Sequence, residues 1–226
     1  LVVGLPRDPT GNIVNAGDGN DTIHGAAGND SIDGGDGTRD RVVYDLSNDA
    51  VSVSLADHKG ENGFAHGDTY INVEDVIGSD YNDTLIGDDG DNLLSGGKGN
   101  DLIAGGKGSN TLVGGVGADT LDGTVGTFDL VDYSASKTGV TVDLNLGTGS
   151  GGDAEGDVLN NIEAVIGSQF ADLLIAGLSN SSIFGGDGND TIGVGDTENS
   201  VLDGGSGSNT LDYDQASSGV TATLGA

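Results

Sequence analysis

The sequence predicts an all-β fold: a parallel β-roll or β-helix solenoid carrying longer β-strand inserts. Three observations lead there. A nine-residue unit recurs through most of the chain, each unit ends in a short β-prone and half-apolar segment, and glycine is dense enough to exclude helix. "GGDGNDTIG", Gly185–Gly193, is one copy of the unit, whose shared form is G-G-x-G-x-D-x-U-x with U a large aliphatic.

In chain order, residues 1–14 read as a lead-in and 15–44 as a first repeat block, with units Ala16–His24 and Gly25–Asp33 and a stretched one from Gly34. Residues 45–77 form an insert. The second block, 78–133, holds Gly78–Ile86, Gly87–Ser95, Gly96–Ala104, Gly105–Val113 and Gly114–Asp122. A second insert spans 134–166. The third block, 167–213, contains Gly167–Ile175, a degraded Ala176–Phe184, Gly185–Gly193, an irregular unit at Gly195–Asp203, and Gly204–Asp212. Residues 214–226 begin a third insert.

The inserts match each other: Val51–Ser79 aligns with Val140–Ser168 without a gap at an offset of 89 residues, and Tyr44 falls on Tyr133. Tyr213 opens a third copy 80 residues later, so the spacing varies by one nonapeptide, as a stackable unit should. Val51, Val53 and Leu55 alternate with polar residues, as do Val140, Val142 and Leu144, and read as strands. Ile71–Ile77 and Leu159–Ile166 are expected to form a second strand pair. "GENGFAHGD" and "GSGGDAEGD" between them read as surface loops. Methionine is absent, and the third insert breaks off at Leu224–Ala226 where Leu55 and Leu144 stand; we expect a piece of a longer protein.

Composition then asks what holds such a chain together. Of 226 residues 44 are glycine, 37 are acidic against 7 Lys+Arg, the net charge is −30, and aromatics are 4%. Ordering a backbone costs about 1–2 kcal/mol per residue, and glycine loses most. High net charge with few large apolar residues is the signature of disorder. Either the chain is disordered, or something cationic folds with it. The acidity excludes nucleic acid and anionic membrane as partners. No apolar run reaches membrane-spanning length, no signal peptide is evident, and cysteine is absent.

Two units, 18 residues, give two strands and two turns and close one flattened coil. The U side chains then stack coil on coil as a ladder one side chain deep: Ile23, Ile32, Val42, Leu85, Leu94, Ile103, Leu112, Leu121, Val131, Leu174, Ile183, Ile192, Leu202 and Leu211. The same step brings the Asp of successive turns within about 4.8 Å, where bare carboxylates repel. Calcium reverses the sign, because it takes 6–8 oxygens at about 2.3–2.6 Å from carboxylates and backbone carbonyls alike. Asp83, Asp101 and Asp119 line one edge of the second block, while Asn92 and Asn110 on the opposite edge keep an oxygen without charge and predict weaker or empty sites. Asp172 pairs with Asp190, Asp21 faces Asp40, Asp30 faces the insert, and Asp129 repeats the place of Asp40.

GGxGxDxUx repeats in an acidic chain resemble the RTX, or haemolysin-type calcium-binding, repeats of bacterial secreted proteins. The "DYS…GVTVDL…NIEAVIGS" inserts are similar to those of large RTX surface proteins. The resemblance implies a right-handed parallel β-roll with several Ca²⁺ between turns, and type I secretion. It implies ligation by the Asp carboxylates and by turn carbonyls, here at Gly17, Gly19, Gly28, Gly35, Gly37, Gly97, Gly99, Gly106, Gly108, Gly115, Gly117, Gly186 and Gly188. The expected function is a non-catalytic calcium-binding structural module of a secreted or cell-surface bacterial protein, folding on Ca²⁺ after export. Rival readings are the accessory roll of an exported protease, lipase or polysaccharide-modifying enzyme, and a glycan-binding adhesin module. Partners expected besides calcium are further repeats of the same protein, a cell surface or an extracellular polysaccharide. His24, His58 and His66 make no catalytic or zinc motif. The NDT and NDS triplets belong to the repeat rather than to glycosylation.

Overall fold

The computed structural model describes residues 2–4, 10–124, 128–177, 180–195, 199–214 and 216. Among these there is no α-helix; 24 strands and two single 3₁₀ turns carry the regular structure. The strands lie in two sheets of ten and fourteen, and each coil of the chain supplies strands to both in turn. Nearly every strand is three residues long and follows directly on the Asp position of its unit, as in Thr84–Ile86 after Asp83.

The register is the 18-residue step. Leu85 pairs with Ile103 and Ile103 with Leu121 in parallel, while Leu94 pairs with Leu112 on the other sheet. At the stretched units the step lengthens to 19, as Ile23 pairs with Val42 and Leu112 with Val131, so each extra residue is absorbed in the turn. In the short strands of the repeats the central residue points inward and is the one most consistently enclosed. Leu85, Leu94, Ile103, Leu112, Leu121, Val131, Leu174 and Ile183 are all fully buried. Enclosing each such aliphatic contributes about 1.5–3 kcal/mol, modest against the backbone entropy of nine residues per unit. Leu202 and Leu211 are only partly covered, near the last described coil. The residues read as a lead-in already belong to the roll: Val2–Gly4 pairs with Thr22–His24, and Ile13–Asn15 with Ser31–Asp33.

The inserts differ from the sequence expectation. Ile71–Ile77 is not one strand but two, Thr69–Ile71 and Asp75–Ile77, on opposite sheets. The corner between them turns at Asn72, whose φ is 51°. Leu159–Ile166 divides in the same way into Val158–Asn160 and Ala164–Ile166, with Asn161 at 52°. Neither loop is only surface. Lys59–Glu61 and Thr148–Ser150 are strands, antiparallel to Ser52–Ser54 and Thr141–Asp143. A 3₁₀ turn then places Ala65 and Ala154 fully inside. Each insert thus sets a three-stranded meander within the fourteen-stranded sheet, between Ser31–Asp33 and Thr84–Ile86 in the first copy, and gives one strand to the other sheet. Tyr44, Val51, Val53, Leu55 and Tyr70 thicken the core beneath it. The third insert lies almost wholly outside the described residues. No helix among the described residues is long and apolar enough to cross a membrane.

Candidate metal centre

In the full-pattern turns the carboxylate folds back beneath the first glycine of its own unit. A Cβ added at Gly96 would lie 2.0 Å from Oδ2 of Asp101, one at Gly114 2.3 Å from Oδ2 of Asp119, and one at Gly185 2.5 Å from Oδ2 of Asp190. The glycine is required because the carboxylate occupies the space of its side chain. The second glycine has a different reason. Gly115 holds φ at 97°, and a Cβ there would fall 2.0 Å from the carbonyl oxygen of Gly97 one coil below. Among the glycines singled out from sequence, Gly17, Gly19, Gly28, Gly35, Gly97, Gly99, Gly106, Gly108, Gly115, Gly117, Gly186 and Gly188 all have positive φ. Gly37 does not share that conformation; a Cβ there would stand 2.6 Å from Oδ2 of Asp40, so space decides. The carbonyls of Gly17 and Gly186 accept bonds from Asp36 and Ser206 of the next coil, at 2.9 and 2.8 Å.

Along each edge the other oxygen, Oδ1, accepts the backbone N–H of the acidic position one coil below. On the edge leading into the fourteen-stranded sheet, Asp83 donates to Asp101 at 2.7 Å and Asp101 to Asp119 at 2.8 Å. Asp172 donates to Asp190 at 3.0 Å, in the pairing read from the 18-residue step. On the opposite edge Asp21 donates to Asp40 at 2.7 Å, and Asn110 to Asp129 at 2.9 Å.

The inserts continue both edges with residues that sequence reasoning missed. Asp30 donates to Asp68 and Asp119 to Asp157, each at 2.8 Å. Asp40 donates to Oε2 of Glu74 at 2.8 Å and Asp129 to Oε2 of Glu163 at 2.9 Å. The signal was present in the sequence: these acids stand at equal places in the two inserts, 89 residues apart.

The second oxygen divides these carboxylates into two kinds. Oδ2 of Asp30, Asp40, Asp101, Asp119, Asp129 and Asp190 is buried without a hydrogen bond. Asp40 and Asp129 are wholly enclosed, Asp30, Asp119 and Asp190 are 1% exposed, and Asp101 is 3%. Burial, with Asp119 and Asp83 alongside, pushes the Asp101 carboxyl up to about 7. Burial also raises Asp119, Asp129 and Asp190, each with another carboxylate adding to the shift. An enclosed carboxylate with a lone pair that meets no donor and like charges beside it costs several kcal/mol unless something cationic meets it.

The others are satisfied by the protein. Asp83 takes N–H bonds from Ser79 and Val51 and a hydroxyl from Ser79 at 2.8 Å; Asp172 repeats this with Ser168 and Val140. Both units carry serine in place of the second glycine; its backbone N–H meets Oδ2, the oxygen left open elsewhere, and its hydroxyl adds a bond to Oδ1. Asp68 is closed by the Tyr44 hydroxyl at 2.6 Å, with Tyr70 bonded to Tyr44, and Asp157 by Tyr133 at 2.7 Å. Burial lifts Asp68 to about 7 and Asp157 to about 6. Asn92 and Asn110 leave no vacancy. Oδ1 of Asn92 accepts from Asp88 and its amide donates to the Glu74 carbonyl, while Asn110 donates to Asp129. Oδ1 of Asn110 accepts the Asn92 N–H at 2.9 Å, so the oxygens of both amides expected from sequence to reach a metal already hold protein donors.

Among the described residues no three His, Cys, Asp or Glu side chains converge. A cation held here would draw one or two carboxylates and otherwise main-chain oxygen, a hard donor set that suits calcium rather than zinc or copper. The enclosed Oδ2 atoms and the glycine cradles fit such an ion.

Comparison with known proteins gives a matching answer. The family model described as the RTX calcium-binding nonapeptide repeat, four copies, matches residues 8–39, 77–112, 98–127, 166–196 and 193–216, more than half of the chain. No curated protein matches it. The matched segments carry the turns of Asp21, Asp30, Asp83, Asp101, Asp119, Asp172 and Asp190, and the chain belongs to the RTX calcium-binding nonapeptide repeat family, whose units bind several calcium ions.

Proposed function

We propose that the chain is a non-catalytic module of an exported or cell-surface bacterial protein, unfolded where calcium is scarce and folded by it outside the cell. Calcium sits within the turns, held by Asp30, Asp40, Asp101, Asp119, Asp129 and Asp190 with neighbouring turn carbonyls; Asp21 stands at the equivalent place. Asp83 and Asp172 act as metal-free ends of their blocks. One observation carries this reading: six enclosed carboxylate oxygens that no described residue satisfies. With a net charge of −30, the metal-free coil repels itself. Filling the sites turns binding energy into folding energy, at extracellular-type affinities of about 10⁻⁴–10⁻³ M. Secretion through a type I route and partition into three repeat blocks separated by inserts belong to the same proposal. The test is far-ultraviolet circular dichroism in chelator and in millimolar Ca²⁺. Disorder giving way to β-structure supports the reading; a spectrum unaffected by metal refutes it.

A further inference from the structure

From the two inserts we infer that Glu74 and Glu163 are themselves calcium ligands, completing hybrid sites with Asp40 and Asp129 that lie outside the nonapeptide motif. This rests on the calcium reading proposed above. Each glutamate takes the place of a missing turn aspartate: its Oε2 accepts the backbone N–H of Asp40 or Asp129, as Oδ1 of Asp40 accepts that of Asp21. Beside each glutamate stands an aspartate of 0% exposure whose Oδ2 has no partner. That oxygen is aimed into its turn, 2.6 Å from where a Cβ at Gly37 or Gly123 would stand.

The inserts' other acids show what a metal-free arrangement looks like. Asp68 and Asp157 are closed by buried tyrosine hydroxyls. Neither Glu74 nor Glu163 has such a partner among the described bonds. Each instead lines a recess, of about 190 Å³ beside Leu55, Tyr70 and Asn72 and about 250 Å³ beside Leu144, Leu159 and Asn161. Calcium commonly keeps water among its ligands, and such a space accommodates it. The arrangement occurs twice, with the same residues at an offset of 89. Near Glu74 the Arg39 and Arg41 guanidiniums are engaged by Asp75, at 3.5 and 2.9 Å. In the second copy those three places hold Phe128, Leu130 and Ala164, so no fixed cation competes with the ion at Glu163.

The test counts calcium ions by native mass spectrometry and calorimetry on the whole chain, for wild type, Glu163→Gln, Glu74→Gln/Glu163→Gln and, as a control on the turn sites, Asp101→Asn. The amide keeps an acceptor for the Asp129 N–H. Loss of one ion in Glu163→Gln and two in the double variant, or at least a tenfold weakening of that many sites, supports the inference. Unchanged counts and affinities in the glutamate variants with losses in Asp101→Asn overturn it and leave the turn sites standing. Unchanged values in all three overturn both readings. Should Glu163→Gln fail to fold, wild-type crystals soaked in terbium decide: an anomalous peak in bonding contact with the Glu163 carboxylate supports the inference, and peaks at Asp101 and Asp119 alone overturn it.

Discussion

Replacing Asp101 by asparagine should change the sign of its effect with the buffer, and Asp83→Asn should not. Asp101 is enclosed between Asp83 and Asp119, with one oxygen on the Asp83 N–H at 2.7 Å and the other unbonded. At about 4.8 Å and an effective dielectric near 20, each neighbouring charge costs about 3 kcal/mol, less where solvent reaches the pair. Without metal, an amide that keeps the acceptor and removes the charge should therefore stabilise the coil by about 2–4 kcal/mol. With calcium the same change takes a charged ligand from the ions it touches. At about 1.4 kcal/mol per tenfold of affinity, a hundredfold loss at each of the two ions it touches costs about 5.6 kcal/mol, more than the metal-free gain, so the variant becomes the less stable protein. Asp83 is different because the Ser79 and Val51 donors already occupy it. Its amide variant should lose about 1–3 kcal/mol in either buffer, since a donor would face donors. Urea unfolding followed by circular dichroism reads both, with trimethylamine oxide supporting the metal-free fold. Equal shifts for the two variants in both buffers would refute the division of the carboxylates.

Further expectations rest on single groups. The metal-free fold should gain stability from pH 8 to pH 5. Asp101 and Asp68 are held at about 7 in the fold against 3.8 unfolded, so between those values the folded chain binds more protons and loses stability as pH rises; melts in chelator with trimethylamine oxide present check this. The calcium midpoint should move the other way, to higher concentration at lower pH, because protons compete for the ligands. Tyr133→Phe strands Oδ2 of Asp157 and should cost about 1–3 kcal/mol, equally with and without calcium; a cost seen only with calcium would make Asp157 a metal ligand. Arg41→Leu leaves the enclosed Asp75 short of its 2.9 Å partner and should destabilise by about 2–4 kcal/mol in urea titrations. Adding Asp75→Ala, which reproduces Leu130 and Ala164 of the second copy, should recover most of that; no recovery would contradict the pairing.

Periodicity made the roll legible. A unit of nine with one aliphatic at a fixed place leaves little choice of which residue faces inward, and Leu85 through Leu121 are enclosed accordingly. The 18-residue step likewise gave the pairs Asp83–Asp101–Asp119 and Asp172–Asp190. The inserts were less legible because they carry no repeat of their own. Their alternating valines announce a strand, but nothing local separates one seven-residue strand from two three-residue strands around an asparagine corner. At the sites, the sequence counts carboxylates and is silent on donors. Asp83 looks like Asp101 until Ser79 is seen to fill it, and Tyr44 and Tyr133 reach Asp68 and Asp157 across 24 residues of chain.

The unequal strand numbers of the two sheets carry a geometric consequence. Each insert places three strands in one face where the other advances by a single strand, and the faces count fourteen against ten. At about 4.8 Å per strand, the surplus is about 19 Å along one side of the stack. Such a wall cannot stay straight: the longer side must bow outward, and the axis is turned toward the shorter one. The inserts then act as wedge-shaped voussoirs, and the number of nonapeptides between them sets how far apart the bends fall. A long array of these modules would trace an arc whose curvature is written in the spacing of its tyrosines.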